Sequence, residues 1–256
     1  MNSRWLLREL RDLLIGENGR YVFEPQGKVE LPVVSCIDLY LHIPFCRSLC
    51  PYCPYNRTLY DKANIAPYLA AVLAEIDAYH SLLGEVEIGS IYIGGGTPTT
   101  MLDEIEQIFV RLHTRFKITG EIAIETVPGD LDDKCLQKLK ELGINLLSIG
   151  VQSFDDHYLK AIGRNYKANI LEPLISKAMS NGFDSVNLDL MFALPGQTTE
   201  EAMSDLQRAL ELGVDQVTLY PLFTFPYAAV NKHMNRQGVI FPKLSVRRKM
   251  YRALHD

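Results

Sequence analysis

Three of the five cysteines in this 256-residue chain, Cys46, Cys50 and Cys53, fall within eight positions of one another in the stretch HIPFCRSLCPYCPYN. The CxxxCxxC spacing lets three thiolates converge from one loop, and deprotonated sulfur suits a soft metal or an iron–sulfur cluster. Disulfide pairing accounts for the group poorly, because an odd number leaves one thiol over. The opening MNSRWLLRELRDLLIGENGR is charged throughout and is no apolar leader, so a reduced, cytoplasmic setting is expected. Structural zinc normally takes its ligands in two pairs. The remaining cysteines supply no second pair: Cys36 lies beyond the far end of the preceding strand, and Cys135 falls in a helix, where a buried cysteine is common. On a four-iron cube, three thiolates leave one iron open, and an open iron is a place for a ligand to react.

Such a loop needs a scaffold to aim it. The apolar pattern predicts strands at 37–43, 90–96, 121–127, 145–153, 186–194 and 216–223. Between them it predicts helices at 67–83, 102–116, 132–143, 170–182 and 199–213. The first of these carries Leu69, Val72, Leu73, Ile76 and Tyr79 on its core-facing side. Six βα repeats, five with complete helices, imply an α/β fold with a parallel sheet and right-handed crossovers. The strands read as near-continuous apolar runs, as when both sheet faces are covered. Six units make a partial (β/α)6 barrel, a three-quarter TIM barrel; a closed eight-unit barrel needs more chain.

The expected organisation is a helix-and-coil extension over 1–36, the barrel over 37–225, and a polar loop (NKHMNRQG) leading into a helix over 226–256, with any accessory domain short or absent. A hydrophobic content of 47% suffices for one sizeable core. The net charge of -5, with Lys and Arg scattered, argues against nucleic acid as a partner. No apolar run reaches the roughly 20 residues of a membrane helix, so no membrane insertion is expected.

Active sites of parallel α/β barrels gather where the strands end. The cysteine loop leaves the first strand there. The second strand ends in Gly94-Gly95-Gly96-Thr97-Pro98, the third in Glu125, and the fourth in Gln152 and Ser153 with Arg164 shortly after. Asp189 lies on the fifth and Tyr220 on the sixth.

Taken in order, LYLHIPFCRSLCPYC, YIGGGTPT, Glu125-x-x-Pro128, SIGVQSFDDHYLKAIGR and NLDLMFALPGQT resemble successive blocks of the radical S-adenosylmethionine superfamily. Within it they resemble the branch that contains oxygen-independent coproporphyrinogen III oxidase (HemN) and its heme-binding relative HemW, over about residues 37 to 225. The resemblance implies that Cys46, Cys50 and Cys53 hold a [4Fe-4S] cluster whose open iron is chelated by the amino and carboxylate groups of S-adenosylmethionine. It places Tyr40 and Tyr52 near the cluster and adenine, Gly95, Gly96 and Thr97 at the methionine amino group, and Arg164 at the carboxylate, where a guanidinium fork fits. Gln152 and Asp189 then serve the ribose hydroxyls, with Glu125 near the same ligand. An apolar shell of Ile43, Phe45, Tyr52, Ile93 and Leu190 is expected around the radical.

The activity so implied is reductive cleavage of S-adenosylmethionine to methionine and a 5′-deoxyadenosyl radical, in an air-sensitive oxidoreductase or transferase. The substrate would be organic, either tetrapyrrole-related or a methyl acceptor, and the electron donor a flavodoxin or ferredoxin. Tyr55 stands where the coproporphyrinogen oxidase pattern has a fourth cysteine, so a genuine coproporphyrinogen III dehydrogenase is not expected. The alternative is a HemW-like heme-binding and heme-transfer protein that uses cluster and cofactor in regulation. Plainer readings stand beside these. The thiols could form part of a zinc site, GGGTP a tight turn, and Glu125 or Asp189 a structural ion pair with Arg164. Tyr40 and Tyr52 could serve packing, His42 hydrogen-bonded scaffold, and His157, His233 and His255 the surface.

Overall fold

The structure, a computed structural model, describes residues 33–223 and 241–255. Most of the expected 1–36 extension, and the NKHMNRQG loop with His233, lie outside the described residues. The chain divides after Val33, and every described strand and helix belongs to the unit that starts at Val34.

Nine strands alternate with seven helices among the described residues. They run β1 (Cys36–Ile43), β2 (Phe45–Cys46), β3 (Thr58–Leu59), α1 (Lys62–Leu83), β4 (Glu87–Gly95), α2 (Leu102–Arg115), β5 (Lys117–Ile118), β6 (Ile122–Thr126), α3 (Asp133–Glu141), β7 (Leu146–Gln152), α4 (Asp156–Ala161), α5 (Leu171–Ser180), β8 (Ser185–Phe192), α6 (Thr199–Glu211), β9 (Gln216–Pro221) and α7 (Leu244–His255). The main sheet has the order β1-β4-β6-β7-β8-β9 with every neighbour parallel, and short β5 pairs beside β4. Along the path from β1 to β9 neighbouring strands therefore follow one another in chain order, with helical crossovers between, as in a barrel left open between β1 and β9. The expected α/β architecture stands.

Three local expectations change. Helix α1 begins at Lys62 instead of Pro67, because the Asp61 side chain accepts from Ala63 N (2.9 Å) and Ile65 is already buried. Pro67 then sits inside the helix, where it forfeits one backbone hydrogen bond. Tyr79 is 47% exposed, since the buried stripe runs through Ile65, Val72 and Ile76 and leaves position 79 at its edge.

The third change governs function. The strands are not covered on both faces; they alternate. Leu41 and Ile43, Ile91 and Ile93, Ile122 and Ile124, Leu147 and Ile149, and Val186, Leu188 and Leu190 belong to the buried core. The opposite parity is polar or small: Asp38, Tyr40 and His42; Ser90, Tyr92 and Gly94; Ala123 and Glu125; Ser148, Gly150 and Gln152; Asn187 and Asp189; Thr218 and Tyr220. Period-two alternation with one polar face is what a sheet produces when that face borders a solvated space.

Candidate active site

The cysteine loop is pinned at its base. β2 and β3 pair in parallel, Thr58 N donates to Pro44 O (2.7 Å) and Tyr60 N to Cys46 O (2.8 Å). Phe45 packs edge-on against the rings of Tyr60 and Tyr68, anchoring the loop to α1. Inside the loop, Cys53 N donates to Cys50 O (3.2 Å). Cys46 is buried and Cys50 and Cys53 are half-buried, and all three line one cavity of about 560 Å³ that runs along the polar face of the sheet as far as the carboxyl ends of the strands. Burial pushes the Cys46 and Cys53 thiols upward, opposed at Cys46 by the Thr97 hydroxyl (3.6 Å from Sγ) and at both by the Arg57 charge.

Gly95 and Gly96 carry the floor of the cavity. Gly95 has φ +117°, a left-handed conformation that a side chain resists, and an added Cβ would lie 2.6 Å from the His42 ring. At Gly96 a Cβ would lie 2.7 Å from Phe45 O, so only glycine lets this segment pass beneath the cysteine loop. There Gly96 N donates to Ile43 O (2.7 Å) and Thr97 N to Phe45 O (2.8 Å). Glu125 accepts from the Tyr92 hydroxyl (2.8 Å) and from Gly95 N (3.2 Å).

β7 breaks register between Ile149 and Gln152, and Gln152 adopts φ +72°, unfavourable for a residue with a side chain and costing about 1–3 kcal/mol. The turn sends the Gln152 amide into the cavity, where its oxygen accepts from the Tyr220 hydroxyl (2.5 Å). Arg164 lies with its guanidinium 5.7 Å from both the Tyr52 and Tyr166 ring centroids, and its buried Nε has no hydrogen-bond partner. Asp189 accepts from Asn187 Nδ2 (2.9 Å) and Ser148 Oγ (3.3 Å). Burial raises its pKa to about 6, against those two hydrogen bonds, and the nearby Glu125 charge adds to the rise.

All the expected site residues except Tyr40 line this cavity. Tyr40 stacks on Tyr92 (6.2 Å between centroids), donates to or accepts from His42 Nδ1 (3.0 Å), and is 55% exposed at the rim. His42 in turn meets Asn56 O through Nε2 (2.8 Å), in keeping with the scaffold reading. Glu125 and Asp189 pair with hydroxyls, amides and backbone, and neither forms an ion pair with Arg164 among the described residues. Ser153 does not face the cavity: it is fully buried and donates to Asp205 (2.7 Å). Of the expected apolar shell only Tyr52 lines the cavity. Ile43, Phe45, Ile93 and Leu190 point the other way into the core, because they hold the opposite strand parity or pack onto α1.

Sequence reasoning missed Tyr92, Ser148, Asn187, Thr218, Tyr166 and Arg57, all of which line the cavity. Counting every second residue back from Asp189, Gln152, Gly94 and Tyr220 along the strands finds the first four. Tyr166, whose hydroxyl reaches Gly150 O (3.0 Å) and Val151 O (2.9 Å), carries no such local signal.

The donor set fits the cofactors that the resemblance implies. Among the described residues no three His, Cys, Asp or Glu converge on a single-ion position, whereas a four-iron cube spreads its thiolates over separate corners. An unpartnered buried guanidinium N–H beside that loop is the group an amino-acid carboxylate would satisfy.

A profile of the Radical SAM superfamily matches residues 40–209. The heme chaperone HemW of Bacillus subtilis is 33% identical over 83% of this chain and 57% of its own length. The oxygen-independent coproporphyrinogen III oxidase of Paracoccus denitrificans is 32% identical over 80% of this chain and 46% of its own. Among solved structures, the Escherichia coli coproporphyrinogen III oxidase HemN, described as a radical SAM enzyme, superposes with a TM-score of 0.79 at 28% identity, covering 87% of this chain and 52% of that one. The chain thus spans about half the length of the curated relatives it matches. The ordered blocks, the open parallel sheet and the three-thiol cavity share one explanation: the chain belongs to the radical S-adenosylmethionine superfamily, and a [4Fe-4S] cluster and S-adenosylmethionine are its cofactors.

Proposed function

We propose that the cavity binds the cluster through Cys46, Cys50 and Cys53 and seats S-adenosylmethionine across the mouth of the sheet for reductive cleavage, with an organic ligand of the tetrapyrrole class beside it. Bound and reduced, the two cofactors together supply a 5′-deoxyadenosyl radical. The chain supplies orientation. Arg164, with its unpartnered Nε, receives the methionine carboxylate, and the segment Gly95–Thr97 approaches the amino end. Asp189 and Gln152 accept from the ribose hydroxyls, with Glu125 on the same ligand. Tyr52 covers the cluster, and Tyr40 stands at the rim toward adenine. The unpartnered guanidinium N–H is the observation that carries this reading, since without a carboxylate it stays unsatisfied at a cost of about 1–3 kcal/mol. The free cysteines agree with a reducing, cytoplasmic setting, with a flavodoxin or ferredoxin as electron source.

The HemW-like reading, heme binding and transfer with the same two cofactors, is supported by the relatives named heme chaperone and by Tyr55. That side chain lines the cavity and is 69% exposed where a fourth cysteine would stand in the oxidase pattern. Turnover of a methyl acceptor or another organic substrate is the competing outcome. One preparation separates them. After anaerobic reconstitution and reduction with dithionite, 5′-deoxyadenosine is expected, and a Cys50→Ala control is expected to make none. An intact cluster that never cleaves the cofactor overturns the proposed chemistry. A Soret band that grows to one heme per chain and passes to an acceptor favours the heme-handling form; no Soret change on adding heme removes it.

A further inference from the structure

Arg57 lies four residues after the last cysteine of the loop and lines the cavity with all three thiols. Its Nη2 donates to Cys50 O (2.7 Å) and its Nη1 to Tyr55 O (3.2 Å), so one guanidinium ties together the two flanks of the Cys53 turn. Its Nε is buried and has no hydrogen-bond partner. No salt bridge ties Arg57 to a carboxylate among the described residues, whereas the loop's other arginine, Arg47, is tied to Asp130 (3.2 Å). A cation held by two carbonyls, half-buried and unneutralised, is an uncommon arrangement, and a cluster bound through the three sulfurs of the same loop would supply the negative charge it lacks.

We infer that Arg57 is a positioning and potential-setting residue for the cluster: its forked donors hold the loop between Cys50 and Tyr55 in shape, and its fixed charge stabilises the added electron when the cluster is reduced. Net charge and hydrogen bonding around the sulfurs are the protein's means of setting an iron–sulfur potential. A full positive charge in a partly desolvated site acts at short range with little screening. Arginine suits the task better than lysine, because its charge stays on at all working pH and its planar fork reaches two carbonyls at once. The inference rests on the reading that the loop carries a cluster, and its test keeps the two apart.

The experiment compares the native chain with Arg57→Lys and Arg57→Gln, each reconstituted anaerobically. It reads iron and sulfide per chain and the midpoint potential from an EPR-monitored redox titration without S-adenosylmethionine. Native protein that takes up no four-iron cluster sinks the underlying reading, whatever the variants do. With the native cluster present, Arg57→Gln is expected to lower the reduction equilibrium at least tenfold, about 59 mV for one electron, and to lose iron faster to a chelator. Arg57→Lys is expected to keep the potential within that tenfold while losing iron faster than native. A fully loaded Arg57→Gln at the native potential overturns the inference. Should Arg57→Gln hold too little iron to titrate, Arg57→Lys decides: a native-like potential upholds the charge role, and iron loss as complete as that of Gln, or a potential shifted by as much as the tenfold, overturns it.

Discussion

Burial keeps the Asp189 carboxyl protonated to a higher pH than an ordinary carboxylate. Asn187 and Ser148 donate to it, yet burial keeps its pKa at about 6. Two consequences of opposite sign follow. For folding, a carboxyl whose native pKa exceeds its unfolded value of about 3.9 contributes stability below that value and loses it as pH rises through about 6. For ligand binding, an acceptor of ribose hydroxyls works best ionised, so affinity for S-adenosylmethionine is expected to fall as pH drops through about 6. Asp189→Asn should flatten that profile between about pH 5 and 7 while weakening binding at about pH 7.5 by about 0.5–1.5 kcal/mol. Isothermal titration of reconstituted protein measures both. A native affinity that does not change across this window shows that the carboxylate does not touch the ligand. Arg164 illustrates the same scale from the other side: its place in SIGVQSFDDHYLKAIGR was legible as a family block, but its unsatisfied Nε is visible only once Tyr52 and Tyr166 are seen to enclose it.

Between strand and helix, Asp205 ties the two that frame Gln152. From α6 it accepts from Ser153 Oγ (2.7 Å) and Phe154 N (2.9 Å) immediately after β7, and it is only 6% exposed. Removing it leaves two buried donors without partners and frees the strained turn at Gln152. Asp205→Ala is expected to cost about 1–3 kcal/mol, seen as a lower denaturation midpoint at unchanged slope. A midpoint within error of native would mean water satisfies both donors. No reading of the sequence finds this pair, for 52 positions separate Ser153 from Asp205 and an acidic residue in an amphipathic helix looks like surface. The strands and helices themselves were legible because burial imposes a period. Their starts were less so: Pro67 resembles a first helical residue, and only the Asp61 cap and buried Ile65 show that the helix begins five residues earlier. The polar parity of the strands is present in IDLYLHI and VNLDLM but is masked by their high apolar content, so strands with one wet face read as covered on both.

At the scale of the whole molecule, the described unit is a sheet open between β1 and β9 whose ligand space is bordered by β4, β6, β7, β8 and β9 and by the cysteine loop. A ligand seated there bridges the cysteine loop after β1, the glycine turn after β4 and the polar ends of β7 and β8, adding to the ladders and crossovers that already join these strands. Saturating S-adenosylmethionine should therefore protect the fold as one unit: at about 100 times Kd the linkage is about 2.7 kcal/mol, read as a rise in the thermal midpoint of anaerobic reconstituted protein. Equal midpoints with and without the nucleotide would mean that the folded chain does not bind it.

The alternation along each strand has a further outcome. Odd and even positions answer to different neighbours, helices on one side and ligand on the other, so drift at Ala123, Ser148, Asn187 or Thr218 can redraw which molecule is admitted while the packing of Ile124, Leu147, Leu188 and Val217 stays as it is. A single substitution on the ligand-facing parity therefore changes the wall of the cavity and leaves the core-facing side of the same strand in place.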